Sequence, residues 1–548
     1  MEGNRTPASK DKENCLSFDE FLPYMGEFGF YQKRLIVYLI PFFFLWAFIY
    51  FTQIFLIVVP NDHWCRIAEL QDLSKEQQLK LGIPKVEDEY NKCFMYDTNY
   101  TEALDRNFTT ADKNWPQKPC KDWIYDKDQV PYESIATQYD WVCQNDHLGP
   151  YSVTIYFLGS IVGGLIFGYA ADHWGRLPAV MLSNLCALIG GLLSAFCNNF
   201  IWFSITRFVV GLALNNCCIP VYVLMMECLP SKYRPAVTNF SLTICFLPAA
   251  CLLPWIALWC NNWRLLAIVT SAPLVICLLM YFCLQESPRW LISIGKMAKA
   301  MKIIEYIAKV NGKEISKELM TTFEKCCILA YNEEKQWKQY TLLDLFRSYR
   351  MCFITLDLVI IWMITALVYD AHVRAIIEIG PDVFITFSVA GAMELPACLV
   401  PFFFLDFVGR KCMCLFAFIG CAVGSLIAAL LRIKWQIAVT AIFGRFCATI
   451  TFNIGVQWAA EILPTVVRGQ GIAFIQIMGF VSSLLSPFVV YTKIYSPSAP
   501  MAIIAALSIC AAVFVLFLPD TTRSVLPQLP EDTEKLSKNQ KIYVLKRK

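Results

Sequence analysis

The sequence predicts an all-α membrane protein whose twelve spanning helices form two related six-helix halves. Three observations support this fold class: an apolar composition, apolar segments of spanning length, and two motifs that recur at one fixed offset. Of the 548 residues, 57% are hydrophobic and 17% are charged, whereas about 25% of residues are charged in ordinary soluble domains. The formal net charge of +3 comes without a long basic run, so we expect the lipid bilayer, and no nucleic acid, as a partner.

The apolar segments match the thickness of a bilayer. A hydrocarbon core of about 30 Å requires about 20 apolar residues in each helix. Twelve segments meet that requirement, and we number them spans 1 to 12 in chain order. They are residues 35–59, 150–171, 178–198, 200–224, 236–258, 264–284, 352–372, 383–405, 412–431, 436–459, 470–491 and 499–518.

Two charged motifs recur in the two halves of the chain. Asp406 follows Asp172 by 234 positions, and the same offset separates Glu461 from Glu227. Two unrelated motifs that share one offset indicate an internal duplication. Parallel repeats in a membrane protein enclose a substrate site near the bilayer midplane. The repeated charged residues are Asp172, Arg176, Glu227 and Arg234 in the first half and Asp406, Arg410, Glu461 and Arg468 in the second.

The loops divide the chain and predict its orientation. Lysine and arginine collect in loops that an even helix count places on one side, so that side and both termini are predicted to be cytoplasmic. Helical patterning predicts two short helices near Met297–Val310 and Ser316–Tyr331, and we expect a disordered tail after Thr521. The predicted segments are a cytoplasmic N-terminus (1–34), span 1 (35–59), an extracellular loop domain (60–149), spans 2–6 (150–284), a cytoplasmic helical linker (285–350), spans 7–12 (351–521) and a cytoplasmic tail (522–548).

The loop domain between spans 1 and 2 is too polar for lipid and has the features of an extracellular domain. Its four cysteines predict two disulfides, with three connectivities that the sequence leaves open. Asn99 in Asn-Tyr-Thr and Asn107 in Asn-Phe-Thr are acceptor sites for glycosylation. The cysteines are Cys65, Cys93, Cys120 and Cys143.

Ionisable residues inside the spans are candidates for the substrate site. Each costs at least about 2.5 kcal/mol in hydrocarbon, so it is expected to face a cavity or a partner. Glu394 lies in the middle of span 8, Arg445 lies in span 10 two turns before Asn453, and Asp370 lies near the outer end of span 7. Glu394 either binds a cationic substrate or neutralises Arg445, and both interpretations stay open.

These motifs resemble the organic cation, anion and carnitine transporter family of the major facilitator superfamily, from about Gly26 to Thr521. The cysteine-bearing loop domain discriminates this family from sugar porters, which share the acidic–glycine–arginine loops. The resemblance implies the major facilitator fold, a central cavity and alternating access, with the repeated charges acting as a gate. The matching segments are Pro60 to Cys65, Cys120 to Asp126, Tyr139 to Cys143, Gly168 to Arg176, Glu286 to Leu291, Asp344 to Arg347 and Glu461 to Arg468.

The resemblance also implies aromatic residues at the cavity. Trp362, Tyr369 and Tyr222 match aromatic positions that line the cavity in family members, although packing in the core is the alternative. Ring faces attract organic cations by about 0.5–2 kcal/mol each. Phe480 stands where family members often carry a charge in span 11, so the usual indicator of substrate charge is missing. The candidate substrate-binding residues are Glu394, Trp362, Tyr369, Tyr222, Arg445, Asn453, Asp370 and Phe480.

These features predict a plasma-membrane carrier of small organic ions that favours cations. An anion or zwitterion carrier that uses Arg445 is the alternative within transport, and a receptor or adhesion protein is a third hypothesis, which the repeated gate motifs oppose. With only four histidines, no metal-ligand spacing and no nucleophile–base pair, we expect neither an enzyme nor a metal or other cofactor. We expect a monomer to be functional and leave an oligomer as the alternative.

Overall fold

In a computed structural model, the chain is a bundle of apolar helices with a small loop domain at one end. The structure describes residues 16 and 18–538, except residues 61, 87–88, 107–109, 113, 129, 231, 337–340, 380–381, 523–526 and 529. We call the end of the bundle next to residues 62–147 the loop-domain end.

The helices of the first half follow the predicted spans. Span 4 is divided because Pro220 opens a new helix after a break at residues 214–218; proline lacks the N–H that an unbroken helix would need. Span 6 is divided in the same way at Pro273. The bounds are Phe30–Leu56, Leu148–His173, Arg176–Ser194, Phe200–Ala213 with Ile219–Cys228, Arg234–Cys260, and Trp263–Ser271 with Leu274–Leu279 and the 3-10 turn Met280–Phe282.

The second half has the same succession of helices. Span 8 is divided at Met393, and span 11 is divided before Pro487. The bounds are Tyr349–Ile379, Val383–Ala392 with Glu394–Val408, Arg410–Leu430, Lys434–Ile462, Arg468–Ser483 with Ser486–Tyr491 and the 3-10 turn Thr492–Ile494, and Ala499–Val515.

Among the described residues, nine helical segments are long and apolar enough to cross a membrane. They correspond to predicted spans 1–3 and 6–11. Spans 4, 5 and 12 coincide with shorter apolar helices, namely Phe200–Ala213, Ile219–Cys228, Ile244–Cys260 and Ala499–Val515.

The loop domain departs from the all-α prediction because it contains short antiparallel strands. Its two disulfides join Cys65 to Cys120 and Cys93 to Cys143, with Cα–Cα distances of 5.4 and 5.6 Å. This is one of the three connectivities that the sequence left open. The strand pairs are His63–Cys65 with Trp123–Tyr125, Lys85–Val86 with Glu89–Tyr90, and Phe94–Tyr96 with Gln117–Pro119. The short helices are Ala68–Leu70, Lys75–Gly82, Tyr100–Asp105, Ile135–Gln138 and Cys143–Asn145.

The linker contains the expected helices, at Met297–Val310 and Lys317–Gln336. Asn311 after the first of them holds the N-terminal segment, because its side chain donates to the Met25 carbonyl and accepts from the Tyr31 N–H, each at 2.7 Å. The remaining elements at this end are Phe18–Phe21, Leu22–Met25, Pro288–Ser293, Leu342–Phe346 and Pro530–Lys538.

The prediction of a disordered tail was wrong for its described part. A helix forms at Pro530–Lys538, and the hydroxyl of Thr533 is buried and donates to the Ile462 carbonyl at 3.0 Å. The Pro527 carbonyl accepts from the Thr465 N–H at 3.0 Å. The Ile462 carbonyl and the Thr465 N–H therefore hold this part of the tail at the end of span 10. The polar composition of the tail gave no indication of these contacts.

The two halves contact each other at the loop-domain end. Tyr50 of span 1 donates to Asp370 of span 7 at 2.5 Å, and Tyr491 of span 11 donates to Asp146 at 2.7 Å. The Thr154 hydroxyl of span 2 donates to the Leu484 carbonyl at 3.3 Å. Hydrogen bonds between the halves therefore close this end of the bundle.

Candidate functional site

A buried cluster of one acid, one base and one tyrosine lies in the second half. Arg445 donates to Glu394 through Nη2, and the Tyr369 hydroxyl donates to the same carboxylate oxygen at 2.9 Å. Glu394 is 6% exposed and Arg445 is 4% exposed. The Arg445 guanidinium also lies 4.6 Å from the centre of the Tyr369 ring. The carboxylate is therefore already partnered, which is one of the two interpretations that the sequence left open.

Three spans position this cluster. Glu394 is the first residue of the second helix of span 8, immediately after the turn at Met393. Arg445 lies inside Lys434–Ile462 and Tyr369 inside Tyr349–Ile379. Because the pair neutralises itself and Tyr369 satisfies a further lone pair, the cluster avoids the cost of an isolated charge in a dry interior.

A small pocket of about 10 Å³ adjoins the cluster, between the halves. Span 1 contributes Phe51 and span 5 contributes Ala250, while Glu394 and Arg445 come from the second half. A volume of this size holds about one water molecule. The pair therefore faces the boundary along which the two halves would separate.

Trp362 packs against small residues and does not line this pocket. Added Cβ atoms at Gly455 and Gly479 would meet its ring at 3.1 and 2.6 Å, so these glycines give it room. Its ring centre lies 4.9 Å from that of Phe452, which lies 5.0 Å from the ring of Tyr369. The three rings form a continuous aromatic column that leads to the charged cluster.

The other candidate residues are more scattered. Tyr222 is half-buried in the second helix of span 4, and Phe480 is half-buried in span 11. Asn453 donates to the Cys398 sulfur at 3.4 Å. Asp370 is 5% exposed and accepts from Tyr50 of the other half. Asp370 therefore joins the two halves through Tyr50.

The repeated charges form two matching clusters at the end opposite the loop domain. Arg176 lies 3.0 Å from Asp172 and 3.6 Å from Glu227. Arg410 lies 2.8 Å from Asp406 and 3.0 Å from Glu461. Each cluster joins helices of its own half. The duplication inferred from the sequence is thus reproduced in the side-chain contacts.

The two clusters differ in how well their glutamates are partnered. Glu461 also accepts from Thr521 at 2.5 Å and from Gln457 at 3.2 Å, whereas Oε2 of Glu227 is buried and has no hydrogen-bond partner among the described atoms. Arg468 donates to the Leu463 carbonyl at 3.2 Å. The side chain of Arg234 lies outside the described residues.

Two further acidic residues, Glu286 and Asp520, also belong to the repeat. The sequence analysis did not predict them as a pair. Glu286 accepts from the N–H groups of Arg176 and Leu177 at 3.2 and 3.1 Å, at the start of span 3. Burial raises the pKa of its carboxyl group. Asp520 lies beside Gly409 at the start of span 9. Glu286 and Asp520 are separated by the same offset of 234 residues, so this pair could have been recognised from the sequence.

Comparison with known proteins identifies the family to which this chain belongs. The family model described as "Sugar (and other) transporter" matches residues 100–532. The chain belongs to this transporter family. Like its relatives, this family member is a transporter and not an enzyme.

Individual relatives show which members of the sugar (and other) transporter family this chain resembles. It is 30% identical over 544 residues to the carcinine transporter of Drosophila melanogaster, covering 96% of this chain and 80% of that protein. It is 29% identical over 545 residues to solute carrier family 22 member 3 of Rattus norvegicus, covering 96% and 97%. The predicted resemblance to organic cation and anion transporters is confirmed.

Solved structures confirm the fold of this transporter. The inward-open xylose transporter XylE of E. coli matches with a TM-score of 0.58 over 91% of this chain and 99% of that chain, at 16% identity. At this identity the match shows the major facilitator fold alone.

Proposed function

We propose that this transporter moves small organic ions across the plasma membrane by alternating access and that it favours cations. The observation that carries the proposal is the buried Glu394–Arg445 pair, which lines a pocket between the halves. A cationic substrate that enters when the halves separate replaces the guanidinium as the partner of Glu394. Tyr369, which contacts both charged residues, offers the nearest ring face to the same cation, and Phe452 and Trp362 continue the aromatic column behind it.

The electrostatic energies allow a substrate cation to replace Arg445 as the partner of Glu394. Two unit charges 4 Å apart attract by about 4 kcal/mol at an effective dielectric of 20, so a substrate ammonium and Arg445 compete for Glu394 on similar terms. Glu394 has a cationic partner in both situations, so no bare carboxylate is left in the membrane.

The names of the relatives support a substrate with an amino group. Two relatives from Drosophila melanogaster are transporters of carcinine and of β-alanine, and both compounds carry a primary amine. A relative from Oryctolagus cuniculus is organic anion transporter 3. The alternative is therefore a zwitterion or anion carrier in which Arg445 binds a substrate carboxylate, because Arg445 lines the same pocket.

Uptake by charge-neutralised variants tests the proposal. Glu394→Gln is expected to abolish uptake of labelled monoamine cations, whereas the exposed linker variant Glu305→Gln is the matched control and retains uptake. Normal cation uptake by Glu394→Gln, with loss of anion or zwitterion uptake in Arg445→Gln, would establish the alternative. Uptake by neither wild-type nor control for any charge class would favour a receptor or adhesion role.

We also propose the full topology: twelve spans, both termini in the cytoplasm, and an extracellular loop domain. Asn99, exposed at the start of Tyr100–Asp105, and Asn107, which lies outside the described residues, are its glycosylation sites. Asn99→Gln combined with Asn107→Gln is expected to abolish the mobility shift that a glycosidase produces. A shift that persists in the double variant would contradict this orientation. The monomer is proposed as the functional unit.

The repeated charge clusters are proposed as a gate. Their ion pairs join different helices at the end that this topology places in the cytoplasm, and they are proposed to form in one access state and to separate in the other. Arg410→Ala removes the contacts to both Asp406 and Glu461. It is expected to slow uptake severalfold while the amount of protein at the cell surface stays constant. Unchanged uptake would leave these charges with a role in membrane orientation alone.

A further inference from the structure

A basic cleft lies at the end of the bundle opposite the loop domain. Its volume is about 380 Å³. One wall is the linker helix Met297–Val310, and the other walls are the ends of spans 2, 3 and 6. The residues that define this basic cleft are Trp174, Tyr281, Trp290, Lys296, Lys299 and Lys302.

The three lysines are spaced for a multiply charged anion. They follow one another at intervals of three residues, so they rise along neighbouring turns of one helix side. All three are exposed, and in the described part of the chain none of them has an ion-pair partner. Lys296 lies 5.8 Å from the centre of the Trp290 ring. The cleft therefore gathers three lysines that form no ion pair within the described part of the chain.

The one acid in the cleft does not neutralise the lysines directly. Glu286 accepts hydrogen bonds from the N–H groups of Arg176, Leu177 and Ser287 at 3.0–3.2 Å. Its carboxylate is thus held against the first turn of span 3 by these N–H groups.

The cleft is continuous with exposed aromatic and apolar surface at the ends of spans 2 and 6. Trp174 is 61% exposed at the end of span 2, and Tyr281 and Phe282 at the end of span 6 are also exposed. Tryptophan and tyrosine are enriched where helices leave a bilayer. Leu279, one turn further into span 6, exposes more than half of its surface. An acyl chain lying on span 6 would carry its headgroup directly into the cleft.

We infer that this cleft binds the phosphorylated headgroup of an anionic phospholipid of the cytoplasmic leaflet. The lysines bind the phosphates, and the exposed rings of Trp174 and Tyr281 lie at the level of the headgroup. Basic pockets at the cytoplasmic ends of membrane helices recognise such headgroups by this chemistry. The inference rests on the proposed orientation, in which this end is cytoplasmic.

Lipid binding is testable without any transport assay, so its failure is distinguishable from failure of the proposed function. Full-length protein in phosphatidylcholine nanodiscs is titrated with fluorescent dioctanoyl phosphatidylinositol 4-phosphate. The variant Lys296→Gln/Lys299→Gln/Lys302→Gln is expected to bind at least about tenfold more weakly than wild-type. The control Lys309→Gln/Lys313→Gln/Lys317→Gln changes the net charge equally outside the cleft and is expected to bind like wild-type.

Three outcomes would overturn the inference. Equal binding by wild-type and the cleft variant would show that the lysines do not hold the lipid. Equal weakening in both triple variants would show that only net charge matters. Binding of soluble inositol 1,4-bisphosphate as tightly as the lipid would make the ligand a free phosphate compound. Lys299→Glu, a single change at an exposed position, repeats the test if the triple variant fails to fold.

Discussion

At the residue scale, the central finding is that Glu394 and Arg445 are each other's partner. A buried pair is costly to break from one side, because the remaining charge loses its partner while still in a dry environment. This places a constraint on any substrate, which must replace the interaction that it disrupts.

This pairing predicts a non-additive effect on stability. Arg445→Gln alone is expected to destabilise the protein by about 3 kcal/mol or more, whereas Glu394→Gln combined with Arg445→Gln is expected to be less destabilised than Arg445→Gln. Thermal unfolding of purified protein, followed by tryptophan fluorescence, measures both. Additive effects of the two substitutions would show that the pair does not act as a unit.

His63 in the loop domain predicts a dependence of stability on pH. Burial, reinforced by the charge of Lys92, lowers the pKa of His63 to about 4. The unfolded chain, with a pKa near 6.5, binds a proton between these values and the folded chain does not. Stability is therefore full above pH 6.5 and falls as the pH drops toward 4, by up to about 3 kcal/mol.

Unfolding of the full-length protein at pH 7.5 and pH 5 tests this dependence. His63→Gln cannot take up the proton, so it is expected to lose less stability than wild-type over the same interval. An equal loss in both proteins would assign the pH dependence to other groups.

At the element scale, small residues decide how closely the spans approach. A Cβ atom added at Gly163 of span 2 would fall well inside contact distance of the Leu212 carbonyl oxygen of span 4, whereas one added at the neighbouring Gly164 meets nothing within 4 Å. Close backbone approach at small residues is a general means of helix association in membranes.

These adjacent glycines give a matched pair of variants. Gly163→Ala is expected to destabilise the protein by about 1–3 kcal/mol, because the two helices must separate to admit the methyl group. Gly164→Ala is expected to be neutral or slightly stabilising, since alanine favours a helix more than glycine does. The thermal midpoints of the two purified variants measure the difference. A lower midpoint for Gly164→Ala than for Gly163→Ala would contradict the packing described here.

At the scale of the whole molecule, hydrogen bonds between the halves close the loop-domain end. The Tyr50–Asp370 bond joins spans 1 and 7, and the Cys251 thiol of span 5 donates to the Ser388 carbonyl of span 8 at 3.5 Å. Alternating access requires these contacts to break, so they set part of the balance between the two states.

Tyr50→Phe is therefore expected to favour the state that is open at the loop-domain end. Cys251 is half-buried at the boundary, and its labelling by a membrane-impermeant thiol reagent should increase severalfold, since 1.4 kcal/mol changes the ratio of states tenfold. Mass spectrometry of the Cys251 peptide reports the rate. Tyr151→Phe, at an exposed ring, is the control. Identical Cys251 labelling in wild-type and Tyr50→Phe would exclude this bond from the balance.

The sequence by itself determined the class of helical membrane transporter, the repeated motifs and the family. These properties depend on composition and on residues close together in the chain or at one fixed offset. The sequence also showed the four loop-domain cysteines and the repeated charges Asp172–Arg176 and Asp406–Arg410.

Only the tertiary structure decided which distant residues meet. It paired Glu394 with Arg445, 51 positions away, placed Trp362 against Gly479, and assigned Asp370 to the contact with Tyr50. It also selected one disulfide connectivity and docked the helix at Pro530–Lys538. Helical periodicity gives the face of a residue within its own helix, whereas the partner on another helix depends on how the helices pack.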